Sequence, residues 1–142
     1  MGAEACYFGS LNSDVTYIDA DSALLLSAGS SEVLLIDVAQ LRIDCSGNPV
    51  DSIAIDSDAG LMDIWTASDD SEWLVVTHPD INQITIISLD TMSVDSTISF
   101  GLGSAPSGVG TTTVGGMGYA VIALRFPTQS NSQLVFLELM PW

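Results

Sequence analysis

The side chains with the clearest potential for binding chemistry lie in one short polar stretch that follows an apolar run. His78, the only histidine of the chain, is followed closely by Asp80 and Asn82. An imidazole titrates near neutral pH, and a neighbouring carboxylate and amide add polar contacts, so these residues predict a ligand-binding cluster. The alternative is a solvated turn residue before Pro79, which is the commoner role of a single loop histidine.

A second acidic stretch has ligands that suit a hard cation. Asp56, Asp58 and Asp63 are closely spaced, and alternating carboxylates can converge on calcium. The EF-hand pattern fails, because Gly60 stands where a further oxygen ligand belongs and the later Glu is missing. We therefore expect no cofactor, with calcium at the three aspartates as the alternative and an ordinary Asp-rich turn as the simpler explanation.

Catalytic chemistry finds little support in the sequence. With one histidine and no Gly-x-Ser-x-Gly, a Ser-His-Asp site would depend on His78 alone. The absence of lysine excludes Schiff-base and P-loop chemistry, and no spacing singles out a pair of carboxylates for acid–base work. We predict no catalytic residues and expect that the protein is not an enzyme.

The charge balance limits the partners. The 142 residues include 18 acidic and two basic side chains, for a net charge of −16, which would repel nucleic acid and anionic membrane surfaces. No apolar stretch is long enough to span a membrane, and the first residues lack the pattern of a signal peptide.

Cys6 and Cys45 either form one disulfide or remain thiols, and both alternatives stay open.

The elements that position these residues follow from an internal repeat. Three times a short apolar run, a polar turn and a second apolar run follow one another, and the second runs begin at Val33, Ile84 and Leu134. The spacings are 51 residues from Val33 to Ile84 and 50 residues from Ile84 to Leu134. A period near 50 built of short strands is typical of a β-propeller or a β-solenoid.

The second repeat shows the four antiparallel strands, A to D, of a propeller blade. The sequence predicts a single all-β propeller segment with blade one at 14–55, blade two at 61–100 and blade three at 107–139, the last without its strand D. Residues 5–9 resemble 97–101 and are predicted to be a strand D, which gives the order D, ABCD, ABCD, ABC.

Three blades cannot close a ring, so we expect assembly with copies of this chain or with other propeller chains. In the version that we favour, residues 5–9 of one copy complete blade three of another copy, and two copies make six blades. The predicted assembly strands contain the following residues: Cys6, Tyr7, Phe8, Val135 and Leu137.

The segment from Trp73 to Gly101 resembles a YVTN-type propeller repeat. Val75-Val76-Thr77-His78 stands where that family has its eponymous tetrapeptide, and residues 84–90 match its alternating strand and acidic turn. His78 replaces the usual Asn, and the family's Ser-Pro-Asp-Gly turn is missing after strand A. The resemblance implies a propeller of the kind found in surface-layer, secreted and periplasmic proteins, and its motif is structural, so no catalytic residues carry over.

The sequence thus predicts a non-catalytic structural or interaction module that assembles with propeller chains and presents loops to a partner, in an extracellular, periplasmic or cell-surface location. One alternative is a lactonase-like hydrolase that activates water with a divalent cation in the propeller channel. Another is a piece of a larger propeller that has no activity of its own.

Overall fold

The computed structural model describes residues 12–27, 31–43, 49–126 and 131–139. These residues form three antiparallel sheets that follow one another along the chain. The first sheet consists of β1 (Asn12–Tyr17), β2 (Ser22–Ser27), β3 (Glu32–Asp37) and β4 (Asp51–Ala54), and the short helix α1 (Val38–Ile43) precedes β4. The second consists of β5 (Met62–Thr66), β6 (Glu72–His78), β7 (Gln83–Ser88) and β8 (Ser93–Ser99). The third consists of β9 (Pro106–Val114), β10 (Met117–Phe126) and β11 (Asn131–Leu139).

The strand orders are those of propeller blades. Each of the first two sheets has four strands in chain order, and the third sheet has the order β11-β10-β9 within the described residues. The predicted all-β fold built of four-stranded antiparallel sheets is therefore confirmed. The predicted strand at residues 5–9 lies outside the described residues. No helix in the described ranges is long and apolar enough to cross a membrane.

The burial patterns explain which strands lie at the centre. Every residue of β6 from Trp73 to His78 is buried, as expected for a strand that is covered by a sheet on each side. The outermost strand β8 is instead exposed or half-buried throughout. A continuous apolar run thus predicts a strand between two sheets, and a polar run with isolated apolar residues predicts an outer strand.

Two apolar cores join the three sheets. The first core packs the first sheet against the second, and its fully buried members include Leu24, Leu26, Leu74 and Val76. The second core packs the opposite side of the second sheet against the third sheet, through residues such as Trp65, Val75 and Ile122. The second sheet is therefore the middle layer of the described structure.

Helix α1 was not expected from the sequence, which predicts a loop at 40–49. The Asp37 carboxylate accepts a hydrogen bond of 2.8 Å from the backbone N–H of Gln40, as an N-terminal capping residue does. Val38 N–H also donates to Asp21 O over 2.7 Å, which fixes the start of the helix against the first turn of the sheet. A capping aspartate three residues before Gln40 was the available signal for this helix.

A β-bulge changes the equivalence of the outer strands. The sequence pattern aligns Ile53 of β4 with Thr97 of β8. In the structure, Ile53 pairs with Val33 and Ile98 pairs with Ile84, and Val33 and Ile84 are equivalent positions of the repeat. The register shifts between Ile86 and Ile87, which inserts one residue into the second sheet relative to the first. Ile53 and Ile98 are therefore the structurally equivalent residues of the two outer strands.

Candidate functional site

His78 is the last residue of β6, and it is fully buried rather than exposed in a turn. Its Nδ1 lies 3.0 Å from Ser57 O, and its Nε2 lies 2.9 Å from Thr85 Oγ1. Ser57 belongs to the linker of residues 55–61 between the first and second sheets. Both ring nitrogens are thus occupied by protein atoms, and His78 fixes the linker to the second sheet, so the alternative of a solvated turn histidine is wrong.

Two of the three aspartates, Asp56 and Asp58, hold the same linker from its exposed side. Asp80 N–H donates to Asp58 Oδ2 over 3.0 Å, and Gln83 Nε2 donates to Asp56 Oδ2. Asp58 adopts a positive φ of 70°, a conformation that aspartate tolerates better than most residues. The structure therefore brings Asp56, Asp58 and Asp80 to one end of the second sheet, next to His78.

Asn82 serves the next linker along the chain. Its Oδ1 accepts a hydrogen bond of 3.1 Å from Ala105 N–H and one of 3.5 Å from Ser104 Oγ. Its backbone carbonyl accepts a third, of 2.8 Å, from Phe100 N–H. Asn82 thus fixes the linker of residues 100–105 between the second and third sheets, as His78 does for the preceding linker.

Asp63 points to the third sheet and not to the linker. Its Oδ2 accepts a hydrogen bond from the backbone N–H of Thr111 over 2.7 Å and lies 3.0 Å from Thr111 Oγ1, whose hydroxyl donates over 2.6 Å to Ile64 O. Asp14 makes the same kind of bond one sheet earlier, because its Oδ2 accepts from Met62 N–H over 3.0 Å. Both carboxylates reach across 48 residues of sequence, from the first strand of one sheet to the first strand of the next.

This repeated bond between sheets was not recognised in the sequence. Asp14 and Asp63 occupy equivalent positions in β1 and β5, one repeat apart. Two acidic residues at the repeat spacing were the available signal. The predicted calcium ligands also include Asp63, but in the described part of the chain no three His, Cys, Asp or Glu side chains are placed to hold a metal ion.

The Asp58 carboxylate raises the pKa of Asp80, through a hydrogen bond between the two side chains and through charge repulsion. Asp69 shows the opposite effect, since hydrogen bonds from the Ser71 hydroxyl and backbone N–H lower its pKa. A raised carboxyl pKa contributes stability that is present below the ordinary value of 3.8 and is lost as the pH rises through the folded-state pKa. A lowered carboxyl pKa contributes stability that is present at pH values above 3.8 and is lost as the pH falls through the folded-state pKa.

These shifts predict opposite results for two matched substitutions. Asp80→Asn should raise the melting temperature relative to the wild type at pH 7, with a difference that shrinks toward pH 3, because the amide removes the repulsion by Asp58. Asp69→Asn should lower the melting temperature at pH 7 and approach the wild type at low pH. Thermal unfolding of both variants from pH 3 to pH 7 measures these changes in melting temperature. A change of the same sign in both variants at pH 7 would contradict the pKa directions given for Asp80 and Asp69.

A further acidic cluster lies between the first two sheets. Burial raises the pKa of Glu72, and the nearby charges of Asp90 and Asp19 raise it further. Glu72 is half-buried at the start of β6, so water and salt still screen part of this repulsion.

The third sheet presents an uncovered apolar side. In the second sheet, Ile84 and Ile86 are 0% and 2% exposed, because the third sheet covers them. Leu134 and Phe136 hold the matching positions of β11, opposite Ala123 and Val121 of β10, and they are 61% and 67% exposed. This open side, defined by Val121, Ala123, Leu134 and Phe136, is the strongest candidate for an interaction site among the described residues.

No family model and no curated protein matches the sequence. Solved structures resemble the fold, among them the following two. One is "Dihydro-heme d1 dehydrogenase NirN in complex with DHE", with a TM-score of 0.61, 14% identity and coverage of 86% of this chain and 27% of the other. The second is Kuenenia stuttgartiensis hydrazine synthase, with a TM-score of 0.59, 11% identity and coverage of 96% of this chain and 38% of the other.

This chain therefore spans roughly a quarter to two fifths of the chains that it resembles. At these identities the similarity concerns the fold alone, and both neighbours are propeller-type proteins. The resemblance to YVTN repeats stays a prediction, because no family model supports it. The fold that the resemblance implied is confirmed: the described sheets are the blades of a β-propeller segment.

Proposed function

We propose that this chain is a non-catalytic propeller module that assembles with further propeller sheets through the open side of its third sheet. The observation that carries the proposal is the exposure of Leu134 and Phe136 at positions that are buried one sheet earlier. The second sheet of this chain provides the comparison, because its corresponding side, with Ile84 and Ile86, is covered by the third sheet. The proposed partner is therefore a propeller sheet, in a second copy or in another chain.

The energetics favour covering this side. Burying one large apolar side chain contributes about 1.5–3 kcal/mol, and Leu134 and Phe136 lie on neighbouring positions of one strand face. β11 pairs with β10 on one side and, among the described strands, with none on the other. An exposed edge strand with an apolar face is a site where another chain adds.

The net charge sets a condition on self-assembly. A charge of −16 on each copy opposes association at low ionic strength, and salt screens that repulsion. We therefore expect self-assembly to strengthen with salt, as is typical of apolar interfaces between like-charged copies. A basic partner chain would show the opposite salt dependence.

Light scattering of the purified chain tests the proposal. In 0.5 M salt the expected mass is twice the 14.9 kDa of one chain. Phe136→Lys should weaken association at least about tenfold, because a charge would enter the interface. Leu102→Lys is the matched control, since Leu102 is 97% exposed in a turn outside the open side, and it should leave the mass unchanged.

The other outcomes are also informative. A monomer in 0.5 M salt would overturn assembly between copies. A polydisperse aggregate that is the same in both lysine variants would instead indicate a piece of a larger propeller. That alternative is open because this chain covers only 27% and 38% of the two similar structures.

A further inference from the structure

We infer that the open side of the third sheet binds the same open side of a second copy, with the strands of the two sheets running in opposite directions. The inference rests on the proposed function and adds the identity of the partner and its orientation. Two charged residues carry it, Arg125 and Glu138, because they extend the open side at its two ends.

Strand pairing and burial place both charged side chains on the open side. Leu124 and Leu139 are buried in the second core, whereas their neighbours Arg125 and Glu138 are exposed, as the alternation of side chains along a strand requires. Glu138 pairs with Tyr119, near one end of β10, and Arg125 lies near the other end. The two charges are therefore six residues of β10 apart, which is about 20 Å at about 3.3 Å per residue.

The apolar residues of the open side lie midway between these charges. Ala123 pairs with Leu134 on one side of the midpoint, and Val121 pairs with Phe136 on the other. The open side thus has an apolar centre, a positive charge at one end and a negative charge at the other. Such a surface is complementary to itself when a second copy is turned end to end, as an interface between two identical copies must be.

Two orientations bring the open sides of two copies face to face. With the two-fold axis parallel to the strands, the two Arg125 side chains meet, and their like charges oppose the contact. With the axis across the strands, Arg125 of each copy lies at the end that carries Glu138 of the other. In this second orientation Leu134 of each copy also faces Phe136 of the other, so charge and apolar contact agree.

The composition of the chain makes this pairing selective. The chain has two basic residues against 18 acidic ones, and one of the two, Arg125, lies on the open side. Ion pairs at a solvated rim add little affinity but select the orientation, whereas the apolar centre supplies most of the affinity. A variant that carries less negative charge and nevertheless associates more weakly would therefore identify the ion pair.

Charge reversal at one end of the open side tests the orientation. Glu138→Arg would place two arginines at each end of the interface. The matched control is Asp21→Arg, since Asp21 is exposed in the first sheet and the substitution changes the net charge by the same amount. Analytical ultracentrifugation measures the dissociation constants in 0.5 M salt, where ion pairs within an interface are screened less than the repulsion between whole copies. We expect Glu138→Arg to weaken association at least about fivefold, and Asp21→Arg to leave it equal or stronger.

A mixture of two variants tests whether the partner is a second copy. Arg125→Glu alone should also weaken association, because it places two glutamates at each end of the interface. Equal amounts of Arg125→Glu and Glu138→Arg should form a mixed dimer with a dissociation constant within about twofold of wild type, because each end again joins an arginine to a glutamate. Recovery in the mixture also requires that both variants are folded.

The contrary outcomes separate this inference from the proposed function. A Glu138→Arg variant that associates as tightly as Asp21→Arg, or a mixture that associates no more tightly than its components, would overturn the inference. If Phe136→Lys still weakened association in that case, the proposed function would stand with another orientation. A wild type that stays monomeric in 0.5 M salt would overturn the inference together with assembly between copies.

Discussion

Replacing Gly118 by alanine is expected to lower the free energy of unfolding by about 1–3 kcal/mol, because it overpacks the boundary between the second and third sheets. A Cβ at this position would overlap Cε2 and Cζ2 of the Trp65 indole and would lie 2.7 Å from its Nε1. Trp65 is 5% exposed, and its Nε1 donates to Thr113 Oγ1 over 3.1 Å. The ring therefore cannot move away without breaking that bond or opening the core.

Urea denaturation followed by tryptophan fluorescence measures this loss. Gly110→Ala is the matched control, since a Cβ at Gly110 of the same sheet would meet no atom within 4 Å. The control should equal or exceed the wild type in stability, because alanine restricts the unfolded chain. A Gly118→Ala variant as stable as Gly110→Ala would show that Trp65 does not pack against Gly118.

The period of the sequence was sufficient to predict the sheets. Apolar runs near Leu24, Leu74 and Ile122 recur because the second strand of each sheet has at least one buried face, and the strand of Leu74 is covered on both faces. The alternative of a solvated turn for His78 was wrong for a related reason, whereas its part in a ligand-binding cluster stays a prediction. A polar side chain at the end of an apolar strand can be buried if both its hydrogen-bonding groups find partners, and those partners come from residues 57 and 85.

Contacts between sheets could not be predicted in the same way. The alternative of a calcium site groups Asp63 with Asp56 and Asp58 because the three are close in sequence, yet the hydrogen-bond partner of Asp63, Thr111, is 48 residues away. The bulge between Ile86 and Ile87 also shifts the outer strand by one residue without any change in apolar pattern. Hydrogen bonds between sheets depend on side-chain direction and strand register. The pattern of apolar residues in the sequence predicts both only when the repeat has a constant length.

Replacing Asp63 by alanine is expected to cost about 2–3 kcal/mol, because a hydrogen bond to a charged acceptor is removed and the half-buried N–H of Thr111 loses that partner. Asp14→Ala should cost less, since Asp14 accepts a bond of 3.0 Å from Met62 N–H whereas Asp63 accepts a shorter one of 2.7 Å from Thr111 N–H. Asp21→Ala, at an exposed turn position, is the control that removes the same charge.

Amide hydrogen exchange separates this role from a general loss of charge. In Asp63→Ala the Thr111 amide should lose more protection than the other amides of β9, whereas in Asp21→Ala the pattern should not change. Asp63→Asn should lie between wild type and Asp63→Ala in stability, because the amide oxygen still accepts while the charge is lost. Equal unfolding free energies for Asp63→Ala and Asp21→Ala would mean that the bond from Asp63 to Thr111 does not stabilise the contact between the sheets, and that only the change in net charge affects stability.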